Sequence, residues 1–113
     1  MLRKNTTLRK VDLEGNLLGP QAALEFGKAL QINKTLKSLN LESNQLNSEN
    51  GDDTYGLYEL AEFLPNNTTL LSLNLANNQI DEKSGSIFRE KLMLNNTLID
   101  FDFSGNNISM EDS

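Results

Sequence analysis

The pattern Leu-x-x-Leu-x-Leu-x-x-Asn-x-Leu recurs four times and leaves this chain few ways to fold. Its copies are Leu8, Val11, Leu13, Asn16, Leu18; Leu36, Leu39, Leu41, Asn44, Leu46; Leu70, Leu73, Leu75, Asn78, Ile80; and Leu98, Phe101, Phe103, Asn106, Ile108. The first and second copies lie 28 residues apart, as do the third and fourth, whereas the second and third are separated by 34, so one period carries six extra residues. A unit this short cannot bury its apolar face alone, and stacking on its neighbours is the only way to build a core.

Each copy predicts a short strand with its apolar residues on one face. The asparagine that follows can bond backbone groups of its own and the adjoining turn, so a stack of Asn16, Asn44, Asn78 and Asn106 satisfies otherwise orphaned polar groups. Gly19-Pro20 opens a helix, since proline at the first helical position has no N–H to lose. Ala22, Phe26, Ala29 and Leu30 supply that helix's apolar stripe, and Asn33 is expected to close it in a left-handed conformation. The polar run 47–55 takes up the six surplus residues as a loop before a helix resuming at Gly56, with Leu57, Leu60, Ala61 and Leu64 on its apolar side. Pro65 should stop that helix early. In the third unit Asp81 is the expected N-cap, Glu82 complements the helix dipole, and Ile87, Phe88, Leu92 and Leu94 form the stripe. The expectation is one α/β array over 1–113, with units at about 5–32, 33–66, 67–94 and a partial 95–113. Parallel strands then line one side and helices the other. Too few residues precede the first unit to cap it, and the fourth breaks off where its helix should begin, so further repeats or caps are expected at one or both ends.

On these residues, and on the Asn-x-Thr-Leu reset at Asn5–Leu8, Asn33–Leu36, Asn67–Leu70 and Asn95–Leu98, the chain resembles the ribonuclease-inhibitor-like class of leucine-rich repeats. The resemblance implies a curved solenoid with strands on the concave face and helices on the convex face. That class includes intracellular immune receptors, Ran GTPase-activating proteins, tropomodulin-like actin regulators and axonemal proteins. It therefore implies a non-catalytic protein-interaction and assembly module, cytoskeletal or ciliary, with regulation of a small GTPase or other signalling enzyme as the alternative.

Composition narrows the chemistry. The chain has no histidine and no cysteine, which excludes Ser-His-Asp and Cys-His nucleophiles, His-ligated zinc and any disulfide framework. No glycine-rich phosphate loop is present, and no cofactor is expected. A formal net charge of -6 argues against a nucleic-acid partner and favours a protein partner with a basic surface. No apolar run is long enough for a membrane span and no signal segment is visible, so a cytoplasmic setting is expected. The loop Glu49-Asn50-Gly51-Asp52-Asp53 carries oxygen ligands but lacks the ligand register of a calcium loop, and no metal site is assigned there. Six Asn-x-Ser/Thr triplets, at Asn5, Asn33, Asn66, Asn67, Asn95 and Asn107, mostly recur at one phase of the repeat and are read as structural.

The candidate binding surface lies on the strand face opposite the buried leucines. Its third, fifth and seventh places hold Lys10, Asp12, Glu14; Ser38, Asn40, Glu42; Ser72, Asn74, Ala76; and Asp100, Asp102, Ser104. One lysine stands against five carboxylates, which stacked strands would gather into a shallow acidic trough. Arg9 and Lys37, then Leu71 and Ile99, flank it at the second place.

Overall fold

The computed structural model describes residues 7–46, 55–94, 98 and 100–106. Four three-residue strands, β1 (Lys10–Asp12), β2 (Ser38–Asn40), β3 (Ser72–Asn74) and β4 (Asp100–Asp102), form one parallel sheet in the order β1-β2-β3-β4. The helices α1 (Pro20–Ile32), α2 (Tyr55–Glu62) and α3 (Glu82–Leu92) connect them on the other side. Register follows the repeat without slippage: Val11, Leu39, Leu73 and Phe101 pair in one row, flanked by Lys10, Ser38, Ser72, Asp100 and by Asp12, Asn40, Asn74, Asp102.

Burial reports how each unit depends on its neighbours. In the two middle copies Leu36, Leu39, Leu41 and Leu46, and Leu70, Leu73, Leu75 and Ile80, are all buried. The equivalent Leu8, Val11, Leu13 and Leu18 of the first copy, and Leu98, Phe101 and Phe103 of the last, are only half-buried against that core. Each fully buried leucine contributes roughly 1.5–3 kcal/mol, so the middle of the array carries most of the stability.

The asparagine stack forms as expected. Asn44 Oδ1 accepts the Asn16 amide, Asn78 Oδ1 that of Asn44, and Asn106 Oδ1 that of Asn78, each at 2.8 Å. Each Nδ2 group donates to carbonyls of its own loop, and those of Asn44, Asn78 and Asn106 also reach Leu13, Leu41 and Leu75 of the preceding one. The left-handed residues sit beside this stack rather than at Asn33. The residue before each asparagine, Gly15, Ser43, Asn77 and Gly105, has φ of 57–72°, and the residues after the first three, Leu17, Gln45 and Gln79, have φ of 51–61°. Bonds from the stacked amides across the junction hold the chain in a conformation that leucine and glutamine would not choose alone.

Asn33 itself is extended, with φ -69° and ψ 130°. Instead of closing the helix by a left-handed turn, it donates its N–H to Ala29 and accepts the amides of Thr35 and Leu36 on Oδ1 at 2.9 and 2.8 Å. Asn67 repeats this with Thr69 and Leu70. The Asn-x-Thr-Leu reset is thus a side-chain-capped turn that aims the next strand.

The helices show two further departures. Ala23, Gly27, Ala29 and Leu30 are the buried residues of α1, while Ala22 and Phe26 are half-buried. Glycine decides this. A Cβ at Gly27 would lie 2.6 Å from the Glu59 carbonyl, and one at Gly56 would strike the Pro20 carbonyl, so the two glycines let α1 and α2 approach backbone to backbone. On α3, Phe88 is buried but Leu94 lies beyond the helix and is 63% exposed. Leu57, Leu60, Ala61 and Leu64 are buried as expected, although α2 starts one residue earlier, at Tyr55. It ends at Glu62 and yields to a 3-10 turn, Leu64–Asn66, around Pro65. Asp81 caps α3 by accepting the Ser84 amide at 2.9 Å. The loop expected at 47–55 lies, up to its last residue, outside the described residues, as do Ile99 and Ile108.

Candidate concave-face binding site

The strand register gathers the expected site residues on one surface. Lys10, Asp12, Ser38, Asn40, Ser72, Asn74, Asp100 and Asp102 line a shallow depression of about 260 Å³ running across all four strands. Glu14 and Glu42 stand outside it, at the turns that follow β1 and β2. Lys10, Asp12, Glu14, Asp100 and Asp102 are exposed, and the serines, asparagines and Glu42 of the middle strands are half-buried.

The fifth-place residues have a task that periodicity did not disclose. Asp12, Asn40, Asn74 and Asp102 each accept, on Oδ1, the amide two residues on: Glu14 at 3.1 Å, Glu42 at 3.0 Å, Ala76 at 2.9 Å and Ser104 at 3.0 Å. These Asx turns end every strand, and aspartate and asparagine serve equally because only an acceptor oxygen is needed. The signal was present as an invariant Asp or Asn at that place in all four copies. A second row tempers the charge, since Asn40 Nδ2 donates to Glu14 at 3.4 Å and Asn74 Nδ2 to Glu42 at 2.9 Å. At β4 two carboxylates, Asp100 and Asp102, flank Phe101, whereas β1 carries Lys10 with Asp12.

Asp102 is held below the ordinary carboxylate range by the Ser104 backbone N–H and then by the Ser104 hydroxyl, which donates at 2.7 Å. A depressed folded-state pKa means the bonds stabilise the turn above the unfolded-state value and are lost as pH falls through the folded one. A carboxyl-detected NMR titration should show Asp102 titrating below a model aspartate. Ser104→Ala should move it part of the way back, because the backbone bond survives. An Asp102 titration unchanged by that substitution would contradict the hydroxyl's part.

Among the described residues no three carboxylates converge as a metal site, and no helix is long and apolar enough to cross a membrane. The open trough leaves its carboxylates in water, without the enclosed apolar cleft that raises a catalytic acid. What the surface offers is a row of fixed acceptors at the strand spacing.

Comparison with known families finds the repeat in the first three units. The family model for the Leucine Rich repeat matches residues 4–27, 33–49 and 66–86, more than half of the chain. The chain belongs to the leucine-rich repeat family. With its strand–helix units and Asn-x-Thr-Leu turns it falls in the ribonuclease-inhibitor-like class of these repeats. Leucine-rich repeats of the same fold include leiomodin-1 Actin-Binding Site 2, with a TM-score of 0.79 and 21% identity over 98% of this chain and 63% of that one. The tropomodulin C-terminal domain of Caenorhabditis elegans follows with a TM-score of 0.72 and 18% identity, over 93% and 60%. In sequence, Protein CARMIL of Dictyostelium discoideum is 44% identical over 43 residues, which are 38% of this chain and 4% of that protein. The repeat array thus spans less than two thirds of each of these relatives.

Proposed function

We propose that this leucine-rich repeat array is a non-catalytic protein-interaction and assembly module of a larger cytoskeletal or ciliary protein, binding a basic protein surface on its concave face. The observation that carries the reading is the trough itself, where side chains from four strands present one lysine and three carboxylates, with Glu14 and Glu42 at the adjoining turns, without an enclosed reaction cleft. Charge of one sign on a shallow face steers an oppositely charged partner and sets orientation more than affinity. Support for an actin-associated setting comes from the relatives, among them a leiomodin segment described as an actin-binding site, a tropomodulin domain and CARMIL. The four units form one array over 1–113, with further repeats or caps flanking it, and the cytoplasm is its compartment.

The test is binding of monomeric and filamentous actin to the 113-residue chain, compared with the combined variant Glu14→Gln, Glu42→Gln, Asp100→Asn and Asp102→Asn. The isostere Asp102→Asn keeps the Asx-turn acceptor. Binding should fall about tenfold or more and should weaken with salt, as exposed charges are screened. Equal binding by both proteins would remove the concave face from the reading, and no binding by the unaltered chain would remove actin.

A further inference from the structure

We propose that the edge of the array where helices hand over to strands is a second docking surface, and that its partner is an acidic peptide segment carrying an aliphatic side chain. The sequence sorts its charge by turn. The hand-over segments 26–38, 63–73 and 91–99 hold Lys28, Lys34, Lys37 and Lys91 and no carboxylate, although the chain has 16 acidic residues. Helix polarity accounts for Lys91, which lies in the last turn of α3. It does not account for Lys37, which lies past the turn at the entrance to β2. There the Lys37 amide donates to the Arg9 carbonyl at 2.7 Å, so the parallel register sets two exposed cations side by side. Like charges brought together repel. Neither Lys37 nor Lys34, three residues before it, has a carboxylate partner among the described residues. An anionic group laid across them would supply one.

The same edge holds a cleft of about 170 Å³, lined by Leu30, Gln31, Lys34, Glu62, Phe63 and Asn67. Its apolar walls are Leu30 of α1 and Phe63, between α2 and the 3-10 turn, both otherwise part of the core. Its one carboxylate, Glu62, is held by Lys91 at 3.4 Å, whereas Lys34 is exposed. Ile32 and Leu71, exposed on the hand-over segments, add apolar surface. A cleft this small falls short of the roughly 300–1,000 Å³ of a small-molecule pocket and suits a single side chain. An apolar anchor in a cleft beside charge is how a short peptide segment is held. An anionic membrane is the weaker fit, because a headgroup layer sends no side chain into the cleft and repels a chain of net charge -6. The partner chemistry is thus opposite to that of the acidic concave face.

The probe is a fluorescein-labelled peptide, Glu-Asp-Glu-Leu-Asp-Glu-Asp, titrated with the 113-residue chain and followed by anisotropy. Binding should weaken as salt is raised. It should fall about tenfold or more in the combined variant Lys34→Glu and Lys37→Glu, both at exposed side chains, with circular dichroism checking the fold. Replacing the leucine of the peptide with serine should weaken binding about tenfold, since the burial of one aliphatic side chain is lost. This tests the cleft from the side of the peptide and leaves the core residues Leu30 and Phe63 in place. The trough variant of the actin assay should bind the peptide at least as tightly, its repelling charge being reduced, so failure here and failure of the concave-face reading are separate results. No binding of the peptide would overturn the proposal, as would binding indifferent to the two lysines or to the leucine. A loss in the trough variant would place the peptide on the concave face and overturn it too. So would binding to phosphatidylserine vesicles by a chain that ignores the peptide.

Discussion

Replacing Asn78 with alanine is expected to lower stability by about 3–5 kcal/mol, out of the roughly 5–15 kcal/mol typical of a folded domain. The side chain is wholly buried and makes five bonds. Its Oδ1 accepts the amides of Asn44 at 2.8 Å and Leu46 at 3.3 Å, and its Nδ2 donates to Leu41 at 2.9 Å, Leu75 at 3.1 Å and Ala76 at 3.2 Å. Alanine removes the acceptor of the Asn44 and Leu46 amides, each costing about 1–3 kcal/mol where relaxation does not rescue it, while the three carbonyls still accept from Asn44 Nδ2, Asn106 Nδ2 and the Ser43 amide. Asn78→Asp should be at least as damaging. It retains an acceptor but turns the donating end into an oxygen facing three carbonyls, and a buried carboxylate there must take up a proton or repel them. Asn16→Ala is the internal comparison, because Asn16 is exposed and its oxygen accepts no amide of another turn among the described residues. It should cost about 1 kcal/mol. Urea denaturation of the three variants measures this ordering, and Asn78→Ala falling level with Asn16→Ala would refute the stack as a stabilising device.

Phe88→Ala should produce a loss of similar size, about 3–5 kcal/mol, concentrated at one end of the molecule. Phe88 is 1% exposed on the inner face of α3, with ring centroids 5.4 Å from Phe103 and 6.3 Å from Phe101, which are themselves 5.2 Å apart. This trio fixes β4 onto the third unit. Removing the central ring opens a cavity next to a strand whose central residue is only half-buried. Amide exchange at Phe101 and Asp102 should therefore accelerate well before that at Leu39 and Leu73. Phe88→Leu, which keeps most of the volume, should recover more than half of the loss. Exchange that accelerated uniformly along the sheet would show that the units unfold as one block and that β4 is not held locally.

The repeat made the strands, their parallel order and the asparagine stack legible before any coordinates. In a one-dimensional array the residue at a given place meets its counterpart one period away. The hydrogen bonds from Asn16 to Asn44, Asn44 to Asn78 and Asn78 to Asn106 span 28, 34 and 28 residues, the very periods of the sequence. The trough followed for the same reason, because alternation assigns Lys10, Asp12, Asp100 and Asp102 to one face once Val11 and Phe101 are assigned to the other. Helix ends marked by strong local chemistry, at Pro20, Pro65 and Asp81, were equally visible.

Propensity misled where neighbouring turns outweigh it. Asparagine tolerates a left-handed backbone, yet Asn33 is extended because its side chain caps the next turn, while Leu17, Gln45 and Gln79 are left-handed because the asparagine stack holds them so. The buried face of α1 rotated toward Gly27 because only a residue without a Cβ allows the Glu59 backbone so close. That is a property of two helices together and of neither alone. The fifth-place aspartates and asparagines read as solvent-facing polarity, and the folded backbone gave them a second role as strand-ending acceptors. What the sequence by itself determined is thus everything that repeats, since a periodic code names its own neighbours. What only the tertiary structure decided is how closely backbones approach and which polar atoms are already engaged, because both depend on distances that no residue carries in its identity.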